Sequence, residues 1–253
     1  MDDARGHEIH EISKLRGQDI ITVGQHNCDL TLKKCNFDAT GQQILFSWHD
    51  EIKSIRLDLI GYFQAMNILQ AAALVIACGE QPNNVFDTLS ELKTVSGRMQ
   101  LAAKRANGAS IFVDYAHTPD AVETALKAMR PHVMGRLLII VGAGGDRDVS
   151  KRELIGRAAE KYADVVFVTD DNPRSEDPEL IRKAIMHGCP NATEIGDRAT
   201  AILTGVDALN PGDALLIAGK GHETGQIIGD DILAFNDVEQ ASISVSTLDE
   251  LLP

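Results

Sequence analysis

A mixed α/β fold is predicted, and two features of the 253-residue chain carry the prediction. Apolar runs recur through the second half: Ile111-Phe112-Val113, Leu137-Leu138-Ile139-Ile140-Val141, Val165-Val166-Phe167-Val168 and Ala214-Leu215-Leu216-Ile217. Segments with helical spacing separate them. Near-continuous apolar strands joined by crossover helices give a mainly parallel sheet covered on both faces.

The elements follow in order. Residues 1 to about 60 read as β: Leu30 and Leu32 alternate with polar neighbours, Ala39-Thr40-Gly41 turns, Ile44-Leu45-Phe46 forms a second strand, and Ile55, Leu57 and Leu59 alternate again. A mostly apolar helix runs from Gly61 to about Cys78, where Gly79 and Pro82 stop it. A second helix covers Val85 to Leu92. The stretch Leu59 to Gly79 carries no charge, but Gln64, Asn67 and Gln70 would leave polar groups in lipid, so a buried helix is expected there. The domain boundary falls near Ser96-Gly97, giving segments 1–96 and 97–253. Beyond it, a helix after Pro119 presents Val122, Ala125, Leu126 and Met129 on one face, and the next buries Leu154, Ile155, Ala158 and Ala159. Helices near 178–187 and 198–208 complete the alternation.

Composition narrows the function. The length allows two domains, and an apolar fraction of 44% supplies a core. With 37 acidic and 24 basic residues the net charge is −13, which argues against nucleic acid or an anionic membrane as the main partner. A small anion in a local basic pocket remains compatible. The cysteines Cys28, Cys35, Cys78 and Cys189 are scattered without CxxC spacing, as in a reduced, cytoplasmic protein. No secretory leader is expected from the acidic start. Cys28 and Cys35 are too isolated for zinc, His7 and His10 read as surface residues, and no metal site is expected within the chain.

Four motifs follow predicted strand ends: Asp114-Tyr115-Ala116-His117-Thr118-Pro119, Gly142-Ala143-Gly144-Gly145-Asp146-Arg147-Asp148, Asp171-Asn172-Pro173-Arg174 and Gly219-Lys220-Gly221-His222-Glu223. In such sheets ligands gather at the carboxyl ends of the strands, so these loops should converge on one edge. The arginine fork of Arg174 on a proline-stiffened turn suits a carboxylate, or is a surface arginine. The Gly142 loop matches neither G-x-x-x-x-G-K-[ST] nor GxGxxG and is a weak phosphate signature. His117 either serves a ligand or stabilises a helix start, Lys220 is either functional or a solvated lysine, and Arg98 at the hinge suits a phosphate or an interdomain salt bridge.

Taken in order, Gly97-Arg98-Met99, Asp114-Tyr115-Ala116-His117-Thr118-Pro119-Asp120, Gly145-Asp146-Arg147-Asp148, Asp171-Asn172-Pro173-Arg174 and Gly219-Lys220-Gly221-His222-Glu223 closely resemble the Mur ligase family, from about Leu59 to the C-terminus. The Asp-Asn-Pro-Arg form resembles members that use meso-diaminopimelate; lysine-adding members usually differ at the arginine. The resemblance implies that Arg147, Asn172 and Arg174, in the loop with Asp171 and Pro173, hold the distal end of diaminopimelate. Gly221 and Glu223 would face its distal ammonium and carboxylate. Asn67, Arg98 and Asp114 match ATP-associated positions, Asp114 near the ribose and Arg98 near the phosphates, and His117 is grouped with them. Gln64 and Gln100 depart from the family's usual asparagine and glutamate.

By the same resemblance, residues 1–96 are the back part of a central ATPase domain, built of β hairpins and helices. Residues 97–253 are a Rossmann-like C-terminal, amino-acid-binding domain. The family's phosphate loop, magnesium-binding residues and carbamylated lysine are expected upstream of Met1, so ATP and Mg2+ would be held mainly by residues outside this chain. The implied reaction joins meso-diaminopimelate to UDP-MurNAc-L-Ala-D-Glu through an acyl phosphate. Two rival readings are a non-catalytic amino-acid or nucleotide binding module, and a lysine-adding or folylpolyglutamate-synthase-like ligase. The first is favoured for this chain by the missing phosphate loop; the second is disfavoured by Arg174.

Overall fold

The computed structural model describes residues 4–250, in two compact units that meet at Lys93/Thr94. The expected boundary lies three residues later.

In the first unit, α1 (Ala4–Leu15) corrects the expectation of β structure from the start of the chain. It has no buried residue, so no apolar stripe announces it in the sequence. Four strands follow: β1 (Val23–Gly24), β2 (Leu30–Asp38), β3 (Gly41–Trp48) and β4 (Glu51–Leu57), in the order β1-β2-β3-β4. The last three form an antiparallel meander with Leu32 opposite Phe46 and Ile44 opposite Ile55. Its alternation places Leu30, Leu32, Ile44, Phe46 and Leu57 inside. Helix α2 (Tyr62–Ala77) packs Ala65, Ile68, Leu69, Ala72 and Ala73 into the same core. The buried Gln42 donates through Nε2 to the carbonyls of Leu59 (3.2 Å) and Gly61 (2.8 Å), fixing the corner between sheet and helix. The second expected helix starts earlier, as α3 (Pro82–Thr88) with proline in its first turn, and ends in a 3-10 turn at Leu89–Glu91. Among the described residues no helix is long and apolar enough to cross a membrane.

The second unit holds β5 (Gln100–Lys104), β6 (Ser110–Asp114), α4 (Pro119–Met129), β7 (Leu137–Val141), α5 (Ser150–Tyr162), β8 (Val165–Val168) and α6 (Pro178–Met186). They are followed by β9 (Thr193–Glu194), α7 (Arg198–Asp207), β10 (Ala214–Ala218), the hairpin β11 (Gly225–Ile228) with β12 (Asp231–Ala234), and α8 (Asp237–Glu250). The sheet order is β5-β6-β10-β7-β8-β9, parallel except for β5. Strands β7 and β10 are buried along their whole length, as their unbroken apolar runs require. Side-chain caps begin three helices: Thr118 accepts from Ala121 N, Asp177 from Glu179 N and Asp197 from Thr200 N. Leu154, expected inside, is 47% exposed; α5 turns Ile155, Ala158 and Ala159 inward, and one position along a helix is a rotation of about 100°. Strand β10 inserts between β6 and β7, so the carboxyl ends of β6, β10, β7 and β8 lie side by side.

Candidate functional site

The four motif loops meet at that edge. Gly219 N donates to Asp114 O (3.1 Å), and Gly145 N to Asn172 O (2.9 Å). Lys220 Nζ reaches Asn172 Oδ1 (3.0 Å). The convergence expected from the strand ends is present, and it has two parts.

The first part surrounds Asp171-Asn172-Pro173-Arg174. Asp171 and Asn172 are buried. Asn172 Oδ1 accepts from Lys220 Nζ and from Ile227 N (2.9 Å), while its Nδ2 donates to Glu223 Oε2 (2.9 Å). Arg174 has φ of +52°, an uncommon region for a side chain of this size. Hairpin β11–β12 holds it there: Arg174 N donates to Ile227 O (3.1 Å) and Gly229 N to Arg174 O (2.8 Å). Arg174 Nη1 donates to Gly145 O (2.9 Å) and more weakly to Asn172 O (3.4 Å). Among the described residues these bonds engage Nη1 alone, and the Nε–Nη2 edge, the side that grips a carboxylate with two parallel bonds, makes no hydrogen bond. A Cβ on Gly144 would lie 2.6 Å from Arg174 Nη1 and push the guanidinium out of this position.

The glycine loop is braced from below. Asp146, at φ +53°, accepts from Ser175 Oγ (2.7 Å) and Ser175 N (3.3 Å). The Ser175 bonds hold its carboxyl below the usual range. Glu176 accepts from Asp146 N (2.5 Å) and Arg152 Nη2 (2.8 Å), and the hydrogen bond from the buried arginine holds its carboxyl below the usual range as well. Arg147 is exposed, and its Nη1 donates to its neighbour's carbonyl, Asp146 O (3.2 Å).

Lys220 is fully buried, which excludes the reading of a solvated lysine. Its Nζ lies 3.1 Å from Glu223 Oε2. Burial raises the Glu223 carboxyl, but hydrogen bonds from Asn172 and Lys220 and the charges of Lys220 and Arg174 outweigh it, and the net shift is downward. Glu223 is therefore an anion beside the arginine fork.

The second part surrounds Arg98. Gly97, at φ +66°, packs against the Gly221-His222 peptide, and Gly221, itself at φ +56°, packs against Tyr115 and Gly97 O. Arg98 is exposed and lies over the Tyr115 ring, 4.7 Å to the centroid. His117 and His222 flank the same ring at 4.6 and 5.4 Å. His117 Nδ1 also bonds Tyr115 O (2.8 Å). Asp114 accepts from Met99 N (2.7 Å) and Ala116 N (2.8 Å). Burial raises its carboxyl, only partly offset by these bonds and by Arg98. Asn67 lies exposed on α2, in the first unit.

Sequence reasoning missed several contributors. Arg152, Glu176, Gln226 and Ile227 support the first part, and only Arg152 and Glu176, as a charged pair flanking the loops, carried any signal. Gln226 Nε2 donates to Asp171 O (2.7 Å) from a hairpin that the sequence does not announce.

Residues 97–221 match the Mur ligase glutamate ligase domain. The chain is 45% identical over 239 residues to UDP-N-acetylmuramoyl-L-alanyl-D-glutamate--2,6-diaminopimelate ligase of Chelativorans sp. (strain BNC1), covering 94% of this chain and 50% of that protein. Identity to the ligase of the same name from Zymomonas mobilis is 46% over 234 residues, covering 91% and 48%. The chain spans about half the length of the curated relatives it matches. A solved structure of a ligase of that name superposes with a TM-score of 0.77 at 31% identity, covering 98% of this chain and 52% of the other. A folylpolyglutamate synthase from Mycobacterium tuberculosis, solved with ADP and AMPPCP, shares the fold at a TM-score of 0.62 and 19% identity over 98% of this chain and 53% of the other.

Proposed function

Because the chain belongs to the Mur ligase family, we propose that its second unit is the amino-acid-binding half of an ATP-dependent ligase that adds meso-diaminopimelate to UDP-MurNAc-L-Ala-D-Glu in peptidoglycan precursor synthesis. The first unit is then the back part of that enzyme's central ATPase domain. The observation that carries this reading is the pairing of an open arginine edge at Arg174 with an anionic Glu223, both bonded to Asn172. A group bearing one carboxylate and one ammonium matches that pair. Diaminopimelate ends in such a group, whereas lysine ends in an ammonium alone.

In the reaction, phosphoryl transfer from ATP activates the D-glutamate carboxylate as an acyl phosphate. The amine of diaminopimelate attacks the carbonyl carbon, and inorganic phosphate leaves. The second unit's work is orientation, which converts an encounter of two solutes into a reaction within one complex. Arg174 holds the distal carboxylate, Glu223 takes the distal ammonium, and Asn172, bonded to both, shapes the cradle between them. Asp171 and Pro173 set the turn, and the exposed Arg147 supplies a second cation at its rim.

Arg98 over Tyr115, with His117 and His222 beside it, offers a cationic and aromatic shelf that fits the edge of a nucleotide. Asp114 fixes that shelf by holding Met99 N. Asn67, in the first unit, is the remaining position that the family associates with ATP. Among the described residues no group of three or more His, Cys, Asp or Glu is placed to hold a metal ion. The scattered cysteines, without CxxC spacing, suit a reducing, cytoplasmic setting.

Replacement of Arg174 by alanine tests the assignment. Arg174→Ala should abolish discrimination between meso-diaminopimelate and L-lysine in calorimetric binding; unchanged discrimination would remove the arginine clamp from the account.

A further inference from the structure

Lys220 is the one cation of the motif loops that is wholly out of solvent, and it reaches no place where a ligand could meet it. Its ammonium is spent on the two side chains that line the amino-acid end: Asn172 Oδ1 at 3.0 Å and Glu223 Oε2 at 3.1 Å. Those two are also bonded to each other, Asn172 Nδ2 to Glu223 Oε2 at 2.9 Å. The three form a closed triangle. Within it, the amide of Asn172 has only one orientation, because Lys220 and Ile227 N are both donors and require the oxygen to face them. Both donors to Glu223 converge on Oε2, and the carboxylate remains 33% exposed. Its Oε1 accepts no hydrogen bond among the described residues.

We propose that Lys220 is the positioning residue of the amino-acid end: it never touches the ligand, but fixes Asn172 and Glu223 in the arrangement that offers Glu223 Oε1 to the ligand's ammonium. The proposal rests on the reading of this edge as a cradle for a zwitterionic amino-acid end.

A buried lysine is expensive to keep charged unless it is paired and hydrogen-bonded, as this one is. The return is electrostatic. A half-buried carboxylate without a cation shifts toward its neutral form, and a neutral carboxyl binds an ammonium weakly. The groups that face Glu223 are Lys220 and Asn172 directly, with the charges of Arg174 and Arg198 nearby. Arg198 is itself committed to Asp237, so Lys220 and Arg174 are the cations left to hold Glu223 ionised. The sign follows. Glu223 is depressed in the folded protein, so its charged form survives as pH falls through the ordinary carboxylate range of about 4.3. Without Lys220 it would protonate at higher pH, and affinity would fall from about pH 7 to about pH 5 where the parent stays flat.

The test uses the 253-residue chain and two readouts. In the first, 13C NMR follows the Glu223 carboxyl in the parent and in Lys220→Met, without any ligand. The parent should titrate below the ordinary value and the variant above it; equal titration in the two overturns the proposal, whatever the site binds. In the second, calorimetry follows meso-diaminopimelate at pH 7.5, 6.5 and 5.5 in the parent, Lys220→Met and Glu223→Gln. Lys220→Met should bind on the order of 30-fold more weakly at the top of the range and lose more as pH falls. Glu223→Gln should be weak and independent of pH. A Lys220→Met protein with parental affinity and a flat profile overturns the proposal. A parent that binds no diaminopimelate refutes the cradle as preformed, and leaves the NMR comparison to decide the role of Lys220. Should Lys220→Met not fold, the parent titration decides: a Glu223 carboxyl at or above the ordinary value overturns the proposal.

Discussion

Removal of Asp237 should be among the most damaging single changes in the second unit. Arg198 and Asp237 are both fully buried, and they form a two-bond pair: Nε to Oδ1 at 2.8 Å and Nη2 to Oδ2 at 2.7 Å. Arg198 Nη2 also donates to Ala218 O (3.0 Å) and Nη1 to Asp170 O (3.3 Å). These carbonyls immediately precede Gly219-Lys220 and Asp171-Asn172, so one guanidinium ties the roots of both site loops to the starts of α7 and α8. Asp237→Ala strands that guanidinium in the core, and breaking a buried pair from one side costs about 3–5 kcal/mol. For a unit of this size each kcal/mol lowers Tm by about 2–4 °C, so thermal unfolding followed by near-UV circular dichroism should shift down by about 6–20 °C. Arg198→Met combined with Asp237→Leu removes both charges, and should recover much of the loss because no charge is left unpaired. A shift of under about 2 °C for Asp237→Ala, corresponding to less than about 1 kcal/mol, would refute the reasoning.

Three further outcomes are expected. Gly97→Ala would place a Cβ 2.1 Å from His222 N at a backbone angle of +66°, so the Gly221-His222 loop must move; a stability loss of about 1–3 kcal/mol in urea unfolding is expected, and a neutral result would contradict the packing. Asp38, pulled down to about 2 by its hydrogen bond to Arg56, gives stability that is present above the unfolded value of about 3.9 and is lost as pH falls through about 2. Because the pair is half-exposed, Asp38→Asn should cost under ~1 kcal/mol at pH 7, with the difference from the parent closing below pH 3. Burial pushes the Cys189 thiol up to about 11, so a thiol reagent on the native protein should label the exposed Cys78 first, and early labelling of Cys189 would contradict its burial.

The four inner strands of the sheet were legible in the sequence because they are buried on both faces, whereas the edge strands β5 and β9, which bury no residue, were not. Leu137–Val141 and Ala214–Ala218 are unbroken apolar runs, and each ends at a motif loop. What stayed hidden lacks a hydrophobic period. Helix α1 buries nothing, α8 buries only Asp237, Ala241 and Ser244, and hairpin β11–β12 lies at the surface with β12 fully exposed. That hairpin places Gln226 and Ile227 against Asp171 and Asn172, so half of the support for Arg174 was unreadable. Lys220 was ambiguous for another reason: a lysine between two glycines looks solvated, and only the long-range partner Asn172, brought by the neighbouring strands, shows where its charge goes. Leu154 shows the limit of helical periodicity, since an error of one residue turns a side chain from core to solvent.

The central claim is that this chain carries a cradle for the zwitterionic end of diaminopimelate. Calorimetric titration of the parent chain with meso-diaminopimelate and, separately, with L-lysine tests it most directly. Selective heat of binding with diaminopimelate, absent with lysine, is the result predicted by the open edge of Arg174 and the anionic Glu223. Equal binding of the two, or binding of lysine alone, would contradict it.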